Sequence, residues 1–280
     1  MKGKEVFHLV HYGIIYALLT AGAVTFLVPL VWMFVTSLKA PAQIFTYPPE
    51  WIPNPVKWEN YIQALTYFPF FRYLLNTLYI TTLNVIGVVL SCSLVAYGIT
   101  HIRWPGRDII FILVISVLIL PYIVTMIPLY LMYKKLGWIG SFKPLWVPSF
   151  FGVWAFHTFL LRQFFLSIPR ELSDAAKIDG SSEFGIYSKI VLPLCKPALF
   201  AVVLFEFLWT WNDFLQPLVY LTDQSKYTLS LGLAFFQGTH DTAVNLLMAA
   251  STMITIPILI LFFFAQRNFI EGVTLTGLKG

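Results

Sequence analysis

The chain has 280 residues, 58% of them hydrophobic and only 11% charged, with a formal charge of +5 and a mean hydropathy of +0.77. Soluble domains carry about 25% charged residues, so this composition excludes an ordinary soluble globular domain and points to an integral membrane protein. The basic residues are scattered among short loops between apolar runs, a pattern that excludes a nucleic-acid patch and fits loops beside lipid headgroups of the bilayer.

Six apolar runs approach the roughly 20 residues needed to span a bilayer: 12–38, 73–100, 109–133, 144–161, 198–222 and 242–265. The first is too long for the apolar part of a signal peptide and reads as a retained span. The expected fold is therefore all-α, with six transmembrane helices and both termini on one side. Pro29, Pro121, Pro128 and Pro257 fall inside runs, where neighbouring helices can satisfy freed carbonyls, so they predict kinks rather than ends. Residues 1–71 form an N-terminal span and outer loop, and 72–280 the main transmembrane domain. The loop after the first span, with Trp51, Trp58 and Tyr61, suits a headgroup-level belt.

Lys and Arg set the orientation. One side holds Lys2, Lys4, Arg103, Arg107, Arg162, Arg170, Lys177, Lys189, Lys196, Arg267 and Lys279. The other holds Lys39, Lys57, Arg72, Lys134, Lys135, Lys143 and Lys226. Eleven against seven makes the first side, with both termini, cytoplasmic. Cys92 lies in an apolar run and Cys195 beside Lys196, settings that predict structural thiols, neither a disulfide framework nor a metal site.

Between the fourth and fifth spans the chain turns polar, over about 162–197. Pro169 can open a helix over 170–178. Gly180 supplies a turn, and Ser181 or Ser182 caps a second helix ending before Pro193. Small residues at Ala175 and Ala176 permit close approach of another surface. Glu171, Asp174, Asp179 and Glu183 offset the nearby bases, so a partner protein suits this segment better than anionic lipid.

The spacing is specific. Asp174-Ala175-Ala176, three residues, Gly180, nine residues, then Ile190-Val191-Leu192-Pro193 resembles the cytoplasmic E-A-A…G…I-x-L-P motif of permease subunits of bacterial binding-protein-dependent ABC importers. Asp174 in place of Glu keeps the charge. The resemblance implies that Asp174, Ala175, Ala176, Gly180, Ile190, Leu192 and Pro193 couple the permease to a cytoplasmic ATPase dimer. The chain has no G-x-x-x-x-G-K-[ST] phosphate loop. It is thus expected to be non-catalytic and to bind no cofactor, with Mg-ATP held by the partner.

The fifth run reads FEFLWTWNDFLQPLVY. On one continuous helix Glu206, Trp209, Asn212, Asp213 and Gln216 share a face. Ionisable groups at membrane depth are costly and face protein or water. Asn76 and Asn84 of the second run join Glu206, Trp209, Trp211, Asn212 and Asp213 as candidates for a polar passage, the tryptophans suiting a sugar face. The same residues equally suit interhelical hydrogen bonding. His157 reads as a packed bundle histidine, since its own run holds no acid. An ion-coupled carrier using Glu206 and Asp213 is the alternative class. An intramembrane acid/base enzyme is disfavoured, because the two acids lie about 10 Å apart on a helix.

WNDFLQPLVYLTD, residues 211–223, and GVTLTGLKG, residues 272–280, resemble the carbohydrate (maltose-type) importer permeases. That resemblance implies a second, different permease subunit, an extracytoplasmic solute-binding protein and a sugar substrate moved by alternating access across the cytoplasmic membrane. Another polar solute, such as a glycerol phosphate, is the nearest alternative.

Overall fold

The computed structural model describes residues 2–236 and 243–277, and these contain no strand. Four helices are long and apolar enough to cross a membrane: Val10–Ser37, Phe70–Thr100, Lys143–Leu166 and Val244–Gln266. Two helix pairs pass the same test together but are sharply bent. Arg107–Ile119 and Tyr122–Lys135 meet at 102°, and Glu183–Leu194 and Lys196–Trp211 at 79°. The chain is thus a multi-pass membrane protein, with four to six crossing elements among the described residues.

Helices are numbered in chain order: α1 Lys2–Ser37, α2 Glu59–Tyr67, α3 Phe70–Thr100, α4 Arg107–Ser116, α5 Tyr122–Lys135, α6 Lys143–Phe151, α7 Ala155–Leu166, α8 Arg170–Ile178, α9 Glu183–Ile186, α10 Leu192–Leu194, α11 Lys196–Trp211, α12 Leu215–Tyr220, α13 Leu229–Leu233 and α14 Val244–Gly277. They fall into two compact units, Met1–Phe70 with Leu233–Ile256, and Phe71–Gly232 with Pro257–Gly280.

In the first unit the C-terminal end of α1 is stitched to α2. Asn60 donates its amide to the carbonyls of Ser37 (2.8 Å) and Lys39 (2.9 Å). Asn245 donates to Asn60 Oδ1 at 3.2 Å, and Tyr67 stacks on Phe236 with centroids 4.6 Å apart. Lys39 is fully buried with its ammonium 4.1 Å from the Trp32 ring centroid, the cation–π geometry that offsets part of the loss of water.

The second unit is built round a core of Val88, Cys92, Ala96 and Tyr97 from α3, Leu161 and Phe165 from α7, and Ile186, Tyr187, Val191, Cys195, Ala198 and Val202 from the segment leading into α11. Both cysteines are free and buried in it. Gly87 lets α6 close on α3: a Cβ there would sit 2.8 Å from the Phe150 ring and 3.0 Å from the Ser149 backbone.

Three expectations need correction. Pro29, Pro128 and Pro257 do stay inside helices, but Pro121 does not kink one. Leu120 and Pro121 are extended, with ψ 118° and 135°, because a proline pushes its predecessor out of the helical region. The fifth apolar run is not one helix: α11 stops at Trp211 and α12 starts at Leu215, so the polar stripe drawn on a continuous helix does not form. Nor does the helix after Gly180 end before Pro193. A π turn over Tyr187–Val191 precedes α10, so the proline falls where the i→i−4 ladder is already interrupted.

Gly87→Ala is expected to destabilise the chain by about 1–3 kcal/mol through overpacking, more than the ~1 kcal/mol that alanine gains over glycine in a helix. The thermal unfolding midpoint in detergent should fall by a few degrees.

Candidate functional site

Two clusters gather the functional candidates, both in the second unit. The first lies at the C-terminal end of α3. Helix α8 starts after Pro169, and the turn that follows it holds Gly180, with φ +81°. That left-handed conformation is the one glycine adopts at little cost. Ser181 N donates to Ala176 O at 2.9 Å, and the Ser182 hydroxyl caps α9 by accepting from Gly185 N at 3.1 Å.

The two motif alanines face different surroundings. Ala176 is buried and joins the core, whereas Asp174, Ala175 and Gly180 are exposed. Leu172 and Ile178 are exposed with them, Ile178 at 87%. Ile190 and Leu192 pack partly buried against the same core, and Pro193 is exposed. The motif therefore has an inner set that attaches it to the bundle and an outer set left open.

Glu183 joins three elements. Its Oε1 lies 2.6 Å from Lys177 Nζ on α8, and its Oε2 accepts from the Tyr97 hydroxyl of α3 at 2.7 Å. Tyr97 stacks on His101 with centroids 5.0 Å apart. A polar cavity of about 440 Å³ opens here, lined by Tyr97, His101, Arg103, Arg170, Ser173, Asp174 and Lys177. The run 183–194 is bent away from α11 and carries Glu183 and Lys189, which suits a position outside the hydrocarbon. The Lys177 and Tyr97 hydrogen bonds hold the Glu183 carboxyl below its ordinary range. Burial, then the Arg170 charge, lowers His101, which favours the neutral ring.

The second cluster lines a cavity of about 600 Å³. Ser149 donates to Asn84 Oδ1, and Asn84 Nδ2 donates to Leu145 O at 2.8 Å and Thr210 Oγ1 at 3.3 Å. Thr210 in turn donates to Glu206 Oε1 at 2.9 Å, and Glu206 Oε2 lies 3.8 Å from His157 Nε2. Trp209, Asp213 and Gln216 line the same cavity, with Tyr122, Trp154 and Tyr220.

Of the residues expected along a passage, Asn84, Glu206, Trp209 and Asp213 meet here. Asn76 instead holds the carbonyls of Ser225 (3.1 Å) and Tyr227 (2.9 Å). Trp211 is 1% exposed and stacks on Phe207, and Asn212 donates to Leu208 O. The acid beside His157 comes from another helix, so no reading of its own run finds it. Neither of the His157 ring nitrogens is hydrogen-bonded among the described residues. The sequence pattern does not mark Tyr97, Glu183, Ser149 or Thr210 as site residues. Only Thr210, four residues after Glu206, carried a local signal.

Residues 84–274 match the family described as binding-protein-dependent transport system inner membrane component. The chain is 36% identical over 232 residues to the arabinooligosaccharides transport system permease protein AraQ of Halalkalibacterium halodurans, covering 81% of each. It is 33% identical over 268 residues to the trehalose/maltose transport system permease protein MalG of Thermococcus litoralis, covering 92% of this chain and 93% of that one. Its fold matches a chain of a bacterial ABC transporter involved in import of the acidic polysaccharide alginate, with TM-score 0.78 and 24% identity over 92% of this chain and 96% of that chain.

Glu183 gives this site a pH dependence. Its folded pKa lies below the ordinary 4.5, so its stabilising contribution is complete above that value and is lost as pH falls through the depressed one. In detergent, Glu183→Gln is expected to melt below the native chain at pH 7, with the gap closing as the pH is lowered towards 3.

Proposed function

The chain belongs to the family of binding-protein-dependent transport system inner membrane components, and on that premise we propose that it is the sugar-translocating permease subunit of an ATP-driven importer. In this reading the bent pair Arg107–Ile119 and Tyr122–Lys135 is one span and α11 is another, giving six, with both termini and the 162–197 segment in the cytoplasm. A second, different permease completes the pathway, and two ATPase copies bind beneath. A solute-binding protein delivers the sugar from outside. Two relatives whose names specify arabinooligosaccharides and trehalose/maltose support a carbohydrate substrate.

The open face of α8 is the observation that carries the coupling role. Asp174, Ala175, Ile178 and Gly180 lie exposed on a helix whose other face is fastened to the core. An amphipathic helix presented in this way suits a groove on a partner. Closure of the ATPase dimer on Mg-ATP moves this helix, and the bundle alternates between inward- and outward-open states because each binds its partners differently. The sugar then passes the cavity lined by Asn84, Glu206, Trp209 and Asp213. The tryptophan offers an apolar face to sugar C–H groups, and the carboxylates accept from hydroxyls.

The Glu206–His157 approach at 3.8 Å favours one alternative, an ion-coupled carrier. Uptake by such a carrier survives vanadate and falls with an uncoupler, whereas an ATP-driven importer does the reverse.

Gly180→Leu would force a side chain into a left-handed backbone at a cost of about 1–2 kcal/mol, and add bulk to the open face. Sugar uptake and substrate-stimulated ATP hydrolysis in the reconstituted importer should both fall about tenfold or more. Native values for both would remove the coupling assignment. Trp209→Ala and Asp213→Asn should reduce uptake without loss of the assembled complex. Unchanged uptake in both would make the cavity residues structural.

A further inference from the structure

The structure assigns a positioning role to Tyr97, Lys177 and Glu183: together they latch the coupling segment to the second membrane-crossing helix and set the angle of α8. The inference rests on the coupling role proposed for residues 174–180 and adds the part that makes α8 and the bundle move together.

Glu183 is the first residue of α9, directly after the Ser182 cap. Its two carboxylate oxygens go to different elements, Oε1 to Lys177 of α8 at 2.6 Å and Oε2 to the Tyr97 hydroxyl of α3 at 2.7 Å. One side chain therefore fixes three helices at a point. Tyr97 is itself held. Its ring stacks on His101 and meets the Tyr187 ring edge-on at 5.3 Å. The Tyr187 hydroxyl is hydrogen-bonded to Ser93 Oγ at 2.7 Å. The end of α3 is thus connected to the coupling segment through hydrogen bonds from two of its residues, Ser93 and Tyr97, one turn apart.

Helix α8 has little else to fix its pose. Its buried residues are Ser173 and Ala176, whose small side chains bury little apolar surface. The turn that follows is hinged at Gly180. Helix α9 and the π turn behave differently, because Ile186, Tyr187 and Val191 anchor them in the core. Loss of the latch therefore frees α8 while the rest of the fold stays in place. The Lys177–Glu183 pair is about 45% exposed on each side and by itself contributes little. The Tyr97 hydrogen bond is the stronger half, since Tyr97 is 4% exposed and bonds a charged acceptor. The other charged or titratable groups around the adjoining cavity are His101, Arg103, Arg170 and Asp174. None of them has an ion pair among the described residues, so none replaces Glu183.

The test uses the whole importer, with its ATPase and solute-binding protein, reconstituted in proteoliposomes. Sugar uptake and ATP hydrolysis are measured in parallel. Tyr97→Phe and Glu183→Ala should retain bound ATPase and hydrolyse ATP, while sugar moved per ATP falls at least about fivefold. The reversed pair, Lys177→Glu with Glu183→Lys, should recover most of that ratio, because the Tyr97 hydroxyl can also accept. A native ratio in both single variants overturns the latch and leaves the coupling reading intact. A fall that only tracks loss of bound ATPase also overturns it, making the residues merely structural. Native uptake that does not depend on ATP overturns the coupling reading itself.

Discussion

The burial of Ile186, Tyr187 and Val191 among Val88, Cys92, Ala96, Leu161 and Phe165 is the contact on which the rest of the described site depends. It takes the polar segment between α7 and α11 off the lipid surface and makes it part of the bundle. Each large apolar side chain so buried stabilises the arrangement by about 1.5–3 kcal/mol relative to exposure in water. That is enough to hold a segment whose other residues are mostly charged or small. A loop resting on headgroups would have no fixed angle to the membrane helices. A segment whose far side enters their core has one, and motion of either must reach the other.

Inside the hydrocarbon the same logic runs through hydrogen bonds. Lipid offers a polar group no partner there, so bonds to other protein groups are favoured. Asn84, Ser149 and Thr210 supply one another and the Glu206 carboxylate, and Asn84 also donates to the Leu145 carbonyl of α6. These bonds bring α3, α6 and α11 into register. They also concentrate polar side chains round one cavity, so packing and passage are not competing explanations for them. A residue such as Asn84 can fix the wall and still face the space behind it. Asn76 shows the other limit: both its amide bonds go to one loop.

Much of this was legible in the sequence. The long apolar runs mark the crossing helices, and Gly180 and Ser182 mark the turn and cap at the residues where they occur. The spacing of Asp174, Ala175, Ala176 and Gly180 points to a segment in which 174, 175 and 180 do lie exposed. The failures share a physical cause. Hydropathy does not distinguish a kink from a break, so Pro121 and Asn212–Phe214 looked continuous. A hydrophobic pattern also gives no pairing between distant helices. His157 meets Glu206, and Tyr97 meets Glu183, only because α3, α7, α9 and α11 share one core. Pro193 does not end the helix, and the π turn before it leaves no composition signal of its own.

Ala175 and Ala176 illustrate how one short helix can meet two surfaces. They are adjacent, so they point about 100° apart on the helix, one outward and one into the core. A larger residue at 176 would lift α8 off the bundle, and in the proposed docking a larger one at 175 would hold the ATPase away from its backbone. On that proposal small size matters at both, for different reasons. Between those faces α8 has too little apolar area to orient itself, which leaves its angle to be set by polar contacts at its edge. Glu183 is placed to do this. It sits past the glycine hinge, in the segment the core already holds, and from that fixed point reaches back to Lys177 and up to Tyr97. The latch therefore stands where a rigid element meets a movable one, and a few directional bonds there can govern an angle that burial leaves open.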